Sequence, residues 1–153
     1  MRVLMVCLGN ICRSPMAQGI LEDKIHKLGL DVEVDSAATS DYHIGDSPDP
    51  RAIQKMKEHN IDISQYKGRQ LLPIDYDKFD RIYVMDSENY ENAIKVARKD
   101  SDHEKVQMIL NVNEPHSNRS VPDPYFGDEE GFEEVYQMLD KACDYIVEDL
   151  KNA

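Results

Sequence analysis

The segment that most constrains the fold is residues 2–15, where an apolar run passes directly into a loop and a helix start. Residues 2–7 (RVLMVC) have the length of one strand, and nearly unbroken apolar runs are typical of strands buried on both faces of a parallel sheet. Ser14 can cap a helix, and Pro15 suits the first helical position. The segment therefore predicts a central strand, a tight loop and a helix in direct succession.

Strand and helix patterns alternate along the rest of the chain. The sequence predicts strands at residues 32–34, 81–85 and 106–110, and helices starting at Pro50, over 87–98 and over 132–150. The last helix carries an apolar stripe at helical spacing, formed by Phe132, Val135, Tyr136, Leu139, Cys143, Ile146 and Leu150. This alternation predicts an α/β fold in which helices cover both faces of a small parallel sheet.

Length, charge and cysteine content indicate how many domains the chain forms, which partners it disfavours and where it works. The chain has 153 residues, the size of one ordinary domain, so we expect a single domain over residues 1–153. A formal net charge of -12 disfavours nucleic acid and anionic membrane surfaces as partners. No apolar run approaches the roughly 20 residues that span a bilayer. Three cysteines cannot all pair within the chain, so we expect a reducing compartment and a cytoplasmic protein.

The loop after the first strand has the features of an anion-binding site. Ligands of parallel α/β folds bind at the carboxyl ends of the strands, which is where this loop lies. A loop ahead of a helix N-terminus points backbone N–H groups inward, and the helix dipole adds to their field. Gly9 supports a tight path, but the lysine and second glycine of a nucleotide-binding loop are missing. Residues 7–14 are termed the Cys7 loop below.

Cys7 is the first residue of this loop, and Arg13 follows six residues later. The field that attracts a dianion also favours a thiolate, so we expect Cys7 to be nucleophilic. Arg13 supplies a planar fork that can hold two phosphoryl oxygens at once. The pair suits in-line attack of sulfur on phosphorus, with preorganised donors for the transition-state charge. The 5 histidines lack paired ligand spacing, so we predict no metal site and no cofactor.

Several motifs together resemble those of a known family. CLGNICRSP at residues 7–15 resembles the phosphate loop of the low-molecular-weight protein tyrosine phosphatases, and DPYF at 123–126 resembles their general-acid loop. DSAATSDY (35–42) and VMDSEN (84–89) match the family in the same order. The resemblance covers essentially the whole chain. It implies a four-stranded parallel sheet flanked by helices, with the phosphate loop between the first strand and the first helix.

The resemblance also implies an activity and roles for single residues. The implied activity is hydrolysis of phosphotyrosine, in a protein or a small aryl phosphate, through a cysteinyl-phosphate intermediate that releases inorganic phosphate. Cys7 resembles the nucleophile and Arg13 the phosphate clamp, and the implied phosphate-binding residues are Leu8, Gly9, Asn10, Ile11, Cys12, Arg13 and Ser14. The implied supporting residues are Asn10 and Ser36, which would hold the loop in its strained shape, Ser14, which would stabilise the leaving thiolate, and Asp86.

Two of these implied roles compete with simpler interpretations. Asp86 corresponds to a family aspartate that supports the site, but an aspartate in this position could equally be a helix N-cap. Cys12 resembles a family cysteine that forms a reversible disulfide with the nucleophile under oxidation, but it could equally be a small packed residue. Cys143 lies in the apolar stripe of the last helix, so we interpret it as a core residue.

Asp123 is the candidate general acid. A tyrosyl oxygen leaves poorly as a bare anion, so the first step benefits from a proton donor opposite the nucleophile. Pro122 and Pro124 stiffen the loop around Asp123, which would later take a proton from water when the phosphocysteine is hydrolysed. Because Cys7 must be ionised while Asp123 is protonated, we predict a bell-shaped pH profile with its optimum on the acid side of neutral.

Aromatic and aliphatic side chains complete the predicted pocket. The resemblance implies that Tyr42 and Tyr125, with Leu8 and Ile11, sandwich the aromatic ring of a substrate. Phe126 stands where the family often has a second tyrosine, which puts regulation by phosphorylation at that position in doubt.

Three other activities fit parts of the pattern. An arsenate reductase would use the same loop, but this chain has no downstream cysteine pair and keeps the acid motif. A protein-arginine phosphatase looks similar but carries threonine where this chain has Ile11. A phosphate or phosphopeptide binding module without turnover is the third alternative, and a turnover assay distinguishes it from an enzyme.

Overall fold

The computed structural model describes residues 1–153 and contains four strands and six α-helices. The strands are β1 (Arg2–Cys7), β2 (Glu33–Ala38), β3 (Arg81–Val84) and β4 (Val106–Met108). The helices are α1 (Arg13–Leu28), α2 (Pro50–Glu58), α3 (Asp75–Lys78), α4 (Ser87–Val96), α5 (Asp100–His103) and α6 (Glu129–Lys151). Two short 3-10 helices cover Ile109–Val112 and Pro124–Phe126.

The four strands form one parallel sheet in the order β2-β1-β3-β4. Strand β1 lies inside the sheet, as its apolar sequence predicts, and pairs with β2 and β3. Cys7 at its carboxyl end lies opposite Ala38, while Val6 lies between Ala37 and Val84. This register brings the segments that follow β1, β2 and β3 together at one edge of the sheet.

Helices cover both faces of the sheet. Alternate side chains of β1 belong to two separate apolar clusters, because successive residues of a strand point to opposite faces. Val3 and Met5 pack in the cluster that contains residues of α1, α2 and α6, whereas Leu4 and Val6 pack in the cluster that contains residues of α3 and α4. The predicted α/β fold with a helix-flanked parallel sheet is therefore confirmed.

The long C-terminal helix contributes most to the larger cluster. All seven residues of the predicted apolar stripe are buried: Phe132, Val135, Tyr136, Leu139, Cys143, Ile146 and Leu150. Cys143 is fully buried in α6, which confirms it as a core residue. Although α6 is long, none of the helices has the combination of length and hydropathy that a bilayer-spanning segment requires.

Two details of the predicted elements are wrong. Ser14 does not cap α1 and Pro15 is its third residue rather than its first, because the helix already begins at Arg13; its N-cap position, Cys12, makes no side-chain capping hydrogen bond. The Ser14 hydroxyl is used by the loop instead, as described below. Strand β4 ends at Met108, and the apolar run continues as a 3-10 helix, because buried apolar residues suit either conformation.

Candidate active site

The backbone of the Cys7 loop is held from outside by the segment that follows β2. Thr39 N donates to Cys7 O (2.9 Å), Ser40 N to Leu8 O (3.1 Å) and Asp49 N to Ile11 O (2.8 Å). In a trans peptide the N–H group points opposite to the carbonyl oxygen, and the chain has no cis peptide bonds. The N–H groups that follow these three carbonyls therefore point away from the bracing segment, as an anion cradle requires.

Two hydrogen-bond donors surround the sulfur of Cys7. Asn10 N donates to Cys7 Sγ over 3.3 Å, and Ser14 Oγ lies 3.0 Å from the same sulfur. Asn10 Nδ2 also donates to Ser14 Oγ (2.8 Å), which leaves the hydroxyl proton of Ser14 free to point at sulfur. Both groups are placed to donate hydrogen bonds to this sulfur.

Asn10 is the residue that fixes the shape of the loop. Its φ of 58° lies in the left-handed region, which asparagine tolerates better than most residues. Its Nδ2 also donates to Ser36 Oγ (2.9 Å), and its Oδ1 accepts from Arg69 N (3.2 Å), so every polar atom of the amide is used. Gly9 does not have a positive φ. The tight path therefore depends on Asn10, whereas Gly9 avoids a contact, since a Cβ there would lie 3.1 Å from His43 Cδ2.

A second line of hydrogen bonds extends behind the loop. Ser36 Oγ donates to Gln18 Oε1 (2.6 Å), Gln18 Nε2 donates to Glu22 Oε1 (2.7 Å), and Tyr66 OH donates to Glu22 Oε2 (2.7 Å). Burial raises the pKa of Tyr66, and the Glu22 carboxylate raises it further, so the phenol stays a donor. Gln18, Glu22 and Tyr66 were not predicted from the sequence. Gln18 interrupts the apolar run of residues 16–21 (MAQGIL), and this interruption is the signal that could have revealed it.

Arg13 connects the Cys7 loop to two distant segments. Its Nη1 donates to Asp86 Oδ2 (2.7 Å) and to Val121 O (3.0 Å), while Nη2 lies 3.6 Å from Asp123 Oδ2. Burial alone would lower the pKa of Arg13, but the charges of Cys7, Asp86 and Asp123 outweigh it and raise the pKa above its ordinary value. The guanidinium is therefore permanently charged and held in one orientation.

Asp86 serves both of the purposes between which its sequence context could not decide. Its Oδ2 accepts from Arg13, and its Oδ1 accepts from Asn89 N (2.7 Å) as the N-cap of α4. A carboxylate has enough lone pairs to do both at once. The capped helix thereby fixes the carboxylate that orients the guanidinium.

Asp123 lies across the cleft from the Cys7 loop, in residues 121–127, which are termed the Asp123 loop. Val121 N donates to Met85 O (2.8 Å) and ties the start of this loop to the end of β3. Asp123 Oδ1 accepts from Tyr125 N (3.1 Å), and its side chain remains 31% exposed. The carboxyl group is thus held by a local turn, and its second oxygen faces Arg13.

The cleft between the two loops is lined by all four predicted pocket residues, Leu8, Ile11, Tyr42 and Tyr125. Tyr42 and Tyr125 are largely exposed at its rim, at 71% and 41%, so both rings are accessible to a ligand. His43 and Phe126 also line the cleft, although neither was predicted from the sequence to do so. Each directly follows a predicted wall residue in the sequence, which is the signal that could have revealed them.

The second cysteine of the loop differs chemically from the first. Burial raises the pKa of the Cys12 thiol far above its ordinary value, and the nearby Asp49 carboxylate raises it further. Cys12 therefore stays protonated at neutral pH. Both loop cysteines are unpaired, and the disulfide between Cys7 and Cys12 stays a prediction.

Comparison with known proteins identifies relatives along the whole chain. The family model of low molecular weight phosphotyrosine protein phosphatases matches residues 2–153. A Synechocystis protein whose name assigns it to the low molecular weight protein-tyrosine-phosphatases is 43% identical, over 98% of this chain and 96% of that protein. Low molecular weight phosphotyrosine protein phosphatase 1 of Drosophila melanogaster is 40% identical, over 93% of this chain and 92% of that protein.

Solved structures agree with the sequence relatives. The protein tyrosine phosphatase of Entamoeba histolytica superposes with a TM-score of 0.93 at 32% identity, covering 99% of this chain and 97% of that one. YfkJ of Bacillus subtilis superposes with a TM-score of 0.90 at 35% identity, covering 99% and 95%. The resemblance drawn from the sequence motifs is confirmed, and the chain belongs to the family of low molecular weight phosphotyrosine protein phosphatases.

Proposed function

We propose that this protein hydrolyses phosphotyrosine, in proteins or in small aryl phosphates, through a phosphocysteine on Cys7 and without a metal ion. The observation that carries the proposal is the convergence of Cys7 and Arg13, from one loop, with Asp123, from a distant part of the chain, on one cleft. Tyr42 and Tyr125 at the rim support an aromatic substrate, because they offer exposed faces to a phenyl ring.

In the first step, the Cys7 thiolate attacks phosphorus while the bond from phosphorus to the tyrosyl oxygen breaks. Arg13 and the inward N–H groups of the Cys7 loop bind the non-bridging oxygens, where charge accumulates in the transition state. Asp123 gives its proton to the leaving oxygen, which departs as a neutral phenol. The nucleophile and the acid act from opposite sides of the phosphoryl group.

In the second step, water attacks the phosphocysteine and Asp123 takes the proton of that water. The bond between sulfur and phosphorus breaks, and Cys7 leaves as a thiolate while inorganic phosphate is released. Ser14 Oγ and Asn10 N, at 3.0 and 3.3 Å from the sulfur, stabilise this leaving group. Their hydrogen bonds serve both steps, since the sulfur is an anion at the start and at the end.

The positive charge that phosphoryl transfer needs is supplied by the protein. The Arg13 guanidinium is held by Asp86 and by Val121 O, so its fork is oriented before the substrate binds. The three cysteines are buried and unpaired, which supports the proposal that the protein works in a reducing compartment such as the cytoplasm.

The test is phosphate release from a phosphotyrosyl peptide in buffer that contains a metal chelator. We expect wild type to turn over and Cys7→Ser to lose at least about 10⁴-fold in kcat, because the nucleophile is removed. Cys143→Ala is the matched control, since Cys143 is buried in α6 and does not line the cleft. Absence of turnover by wild type would favour oxyanion binding or reduction over hydrolysis.

A further inference from the structure

Arg51, the second residue of α2, joins that helix to the Asp123 loop. Its Nη2 donates to Tyr125 O (2.9 Å) and its Nη1 to Gly127 O (3.3 Å). These are the hydrogen bonds that tie residues 124–127 to a segment outside the Asp123 loop. The other hydrogen bonds of this stretch are local, such as Gly127 N to Pro124 O (3.0 Å).

The guanidinium of Arg51 is fixed on three further sides. Its Nε and Nη2 donate to the two carboxylate oxygens of Asp49 at 3.0 and 2.9 Å. Its Cζ lies 4.9 Å from the ring centroid of Phe132, which is fully buried in α6, and 5.5 Å from that of Tyr125. A guanidinium that is paired with both oxygens of a carboxylate and lies against aromatic rings has little freedom to move.

Asp49 connects this arrangement to the Cys7 loop. Its backbone N donates to Ile11 O (2.8 Å), and its carboxylate caps α2 by accepting from Arg51 N (2.8 Å). The side-chain hydrogen bond from Arg51 lowers the pKa of Asp49, so the carboxylate stays ionised. A short path of direct contacts therefore leads from Ile11 through Asp49 and Arg51 to the carbonyls behind Asp123.

We propose that Arg51 is a positioning residue for the proton transfer, because it sets the distance between the Asp123 loop and the Cys7 loop. The inference rests on the proposed function, in which Asp123 is the general acid. Arg51 itself does not line the cleft. Its effect reaches the reaction through the backbone of the Asp123 loop, two to four residues beyond the carboxyl group.

This role predicts a loss that depends on the leaving group. A phenol with a pKa of about 10 needs a proton as it leaves, whereas p-nitrophenol leaves readily as an anion. Displacement of Asp123 should therefore slow the cleavage of phenyl phosphate more than that of p-nitrophenyl phosphate. A purely structural role would slow both reactions equally.

The experiment compares kcat/KM of Arg51→Gln and wild type for these two substrates. We expect about a tenfold loss with phenyl phosphate and less than about threefold with p-nitrophenyl phosphate, as for a misplaced acid. Arg51→Lys keeps the charge without the planar fork, so it should shift the same ratio by a smaller factor, and it serves if Arg51→Gln does not fold. Equal losses on both substrates in both variants would overturn the inference.

Arg98→Gln is the matched control. Arg98 also forms a fork with two carboxylates, Asp77 and Asp102, and its side chain is 35% exposed against 42% for Arg51. It lies between α4 and α5 and does not line the cleft. We expect Arg98→Gln to lower Tm as much as Arg51→Gln does while leaving the substrate ratio at its wild-type value.

Asp123→Asn separates the failure of this inference from failure of the proposed function. If Asp123→Asn slows both substrates equally, Asp123 is not the acid, and the proposed mechanism and the Arg51 role both fall. If Asp123→Asn is selective but Arg51→Gln is not, only the Arg51 role falls. In the double variant we expect Arg51→Gln to add no further selectivity, because both changes act on one proton transfer.

Discussion

The Cys7 loop and the Asp123 loop face each other across the cleft but are built in opposite ways. Asn10, Arg13 and Ser14 are almost completely buried, and each is held by side-chain hydrogen bonds within the protein. In the Asp123 loop, Tyr125 is 41% and Phe126 is 86% exposed. The loop is tied down by Val121 at its start and by Arg51 at its end.

This contrast matches what each side of the proposed reaction needs. Stabilising charge on phosphorus requires donors that are fixed before the substrate arrives, because their reorganisation would raise the barrier. The acid must admit a bulky aryl group and later a water molecule, so its loop has to be open to solvent. In the proposed mechanism a buried cradle therefore faces a solvent-exposed acid, with Arg13 and Arg51 holding the two loops in position.

Among changes that keep the nucleophile, the largest effect should come from weakening the cradle at Arg13. We expect Arg13→Lys to lower kcat/KM about 10²–10³-fold, because an ammonium cannot hold two phosphoryl oxygens in one plane. Steady-state kinetics with p-nitrophenyl phosphate measures the loss. Arg98→Lys, the same change away from the cleft, should leave kcat/KM unchanged. A loss below tenfold for Arg13→Lys would contradict the rigid-cradle interpretation.

A smaller loss is expected when the shape of the cradle is disturbed at Asn10. Asn10→Ala removes three side-chain hydrogen bonds, two of them fully buried, and places alanine at a φ of 58°, so we expect about 3 kcal/mol less stability in urea denaturation. We also expect kcat/KM to fall about tenfold, because the loop no longer holds its donors.

Asn60→Ala isolates the contribution of backbone strain in that comparison. Asn60 has a φ of 64° just after α2, and its side chain makes no hydrogen bond. We expect Asn60→Ala to cost about 1 kcal/mol of stability and to leave kcat/KM unchanged. Equal losses of stability in the two variants would mean that the Asn10 hydrogen bonds contribute nothing.

The smallest effect should come from the exposed side of the cleft. We expect Phe126→Ser to raise KM about threefold with kcat unchanged, because one aromatic wall is lost and the chemistry is not touched. Stability should change by less than about 0.5 kcal/mol, since Phe126 is 86% exposed. Tyr145→Ser, at an exposed aromatic residue of α6 outside the cleft, should not change KM. A fall in kcat for Phe126→Ser would show that this side chain also positions Asp123.

The local pattern of the sequence predicts much of the fold. The predictions of β1 and α6 are correct because each kind of burial leaves a recognisable pattern. A strand buried on both faces is a continuous apolar run, and a helix buried on one face has apolar residues at helical spacing. Helix α2 begins at Pro50, as predicted. Predictions are wrong where one residue type suits two structural roles. The Ser14 hydroxyl could cap a helix, but in the structure it interacts with Cys7 and Asn10.

The sequence by itself determined the components of the site that lie within a few residues of one another. Cys7, Gly9, Arg13 and Ser14 lie between the last residue of β1 and the first turn of α1, so their pattern alone predicts an anion cradle with a nucleophile, whereas the role of Asn10 was implied by the family resemblance. Only the tertiary structure decided what meets that loop. Ser36, Asp86 and Asp123 reach it because β1 lies between β2 and β3, and Arg51 reaches the Asp123 loop because α2 packs beside α6. Contacts across such distances along the chain depend on strand register and helix packing, which no local pattern encodes.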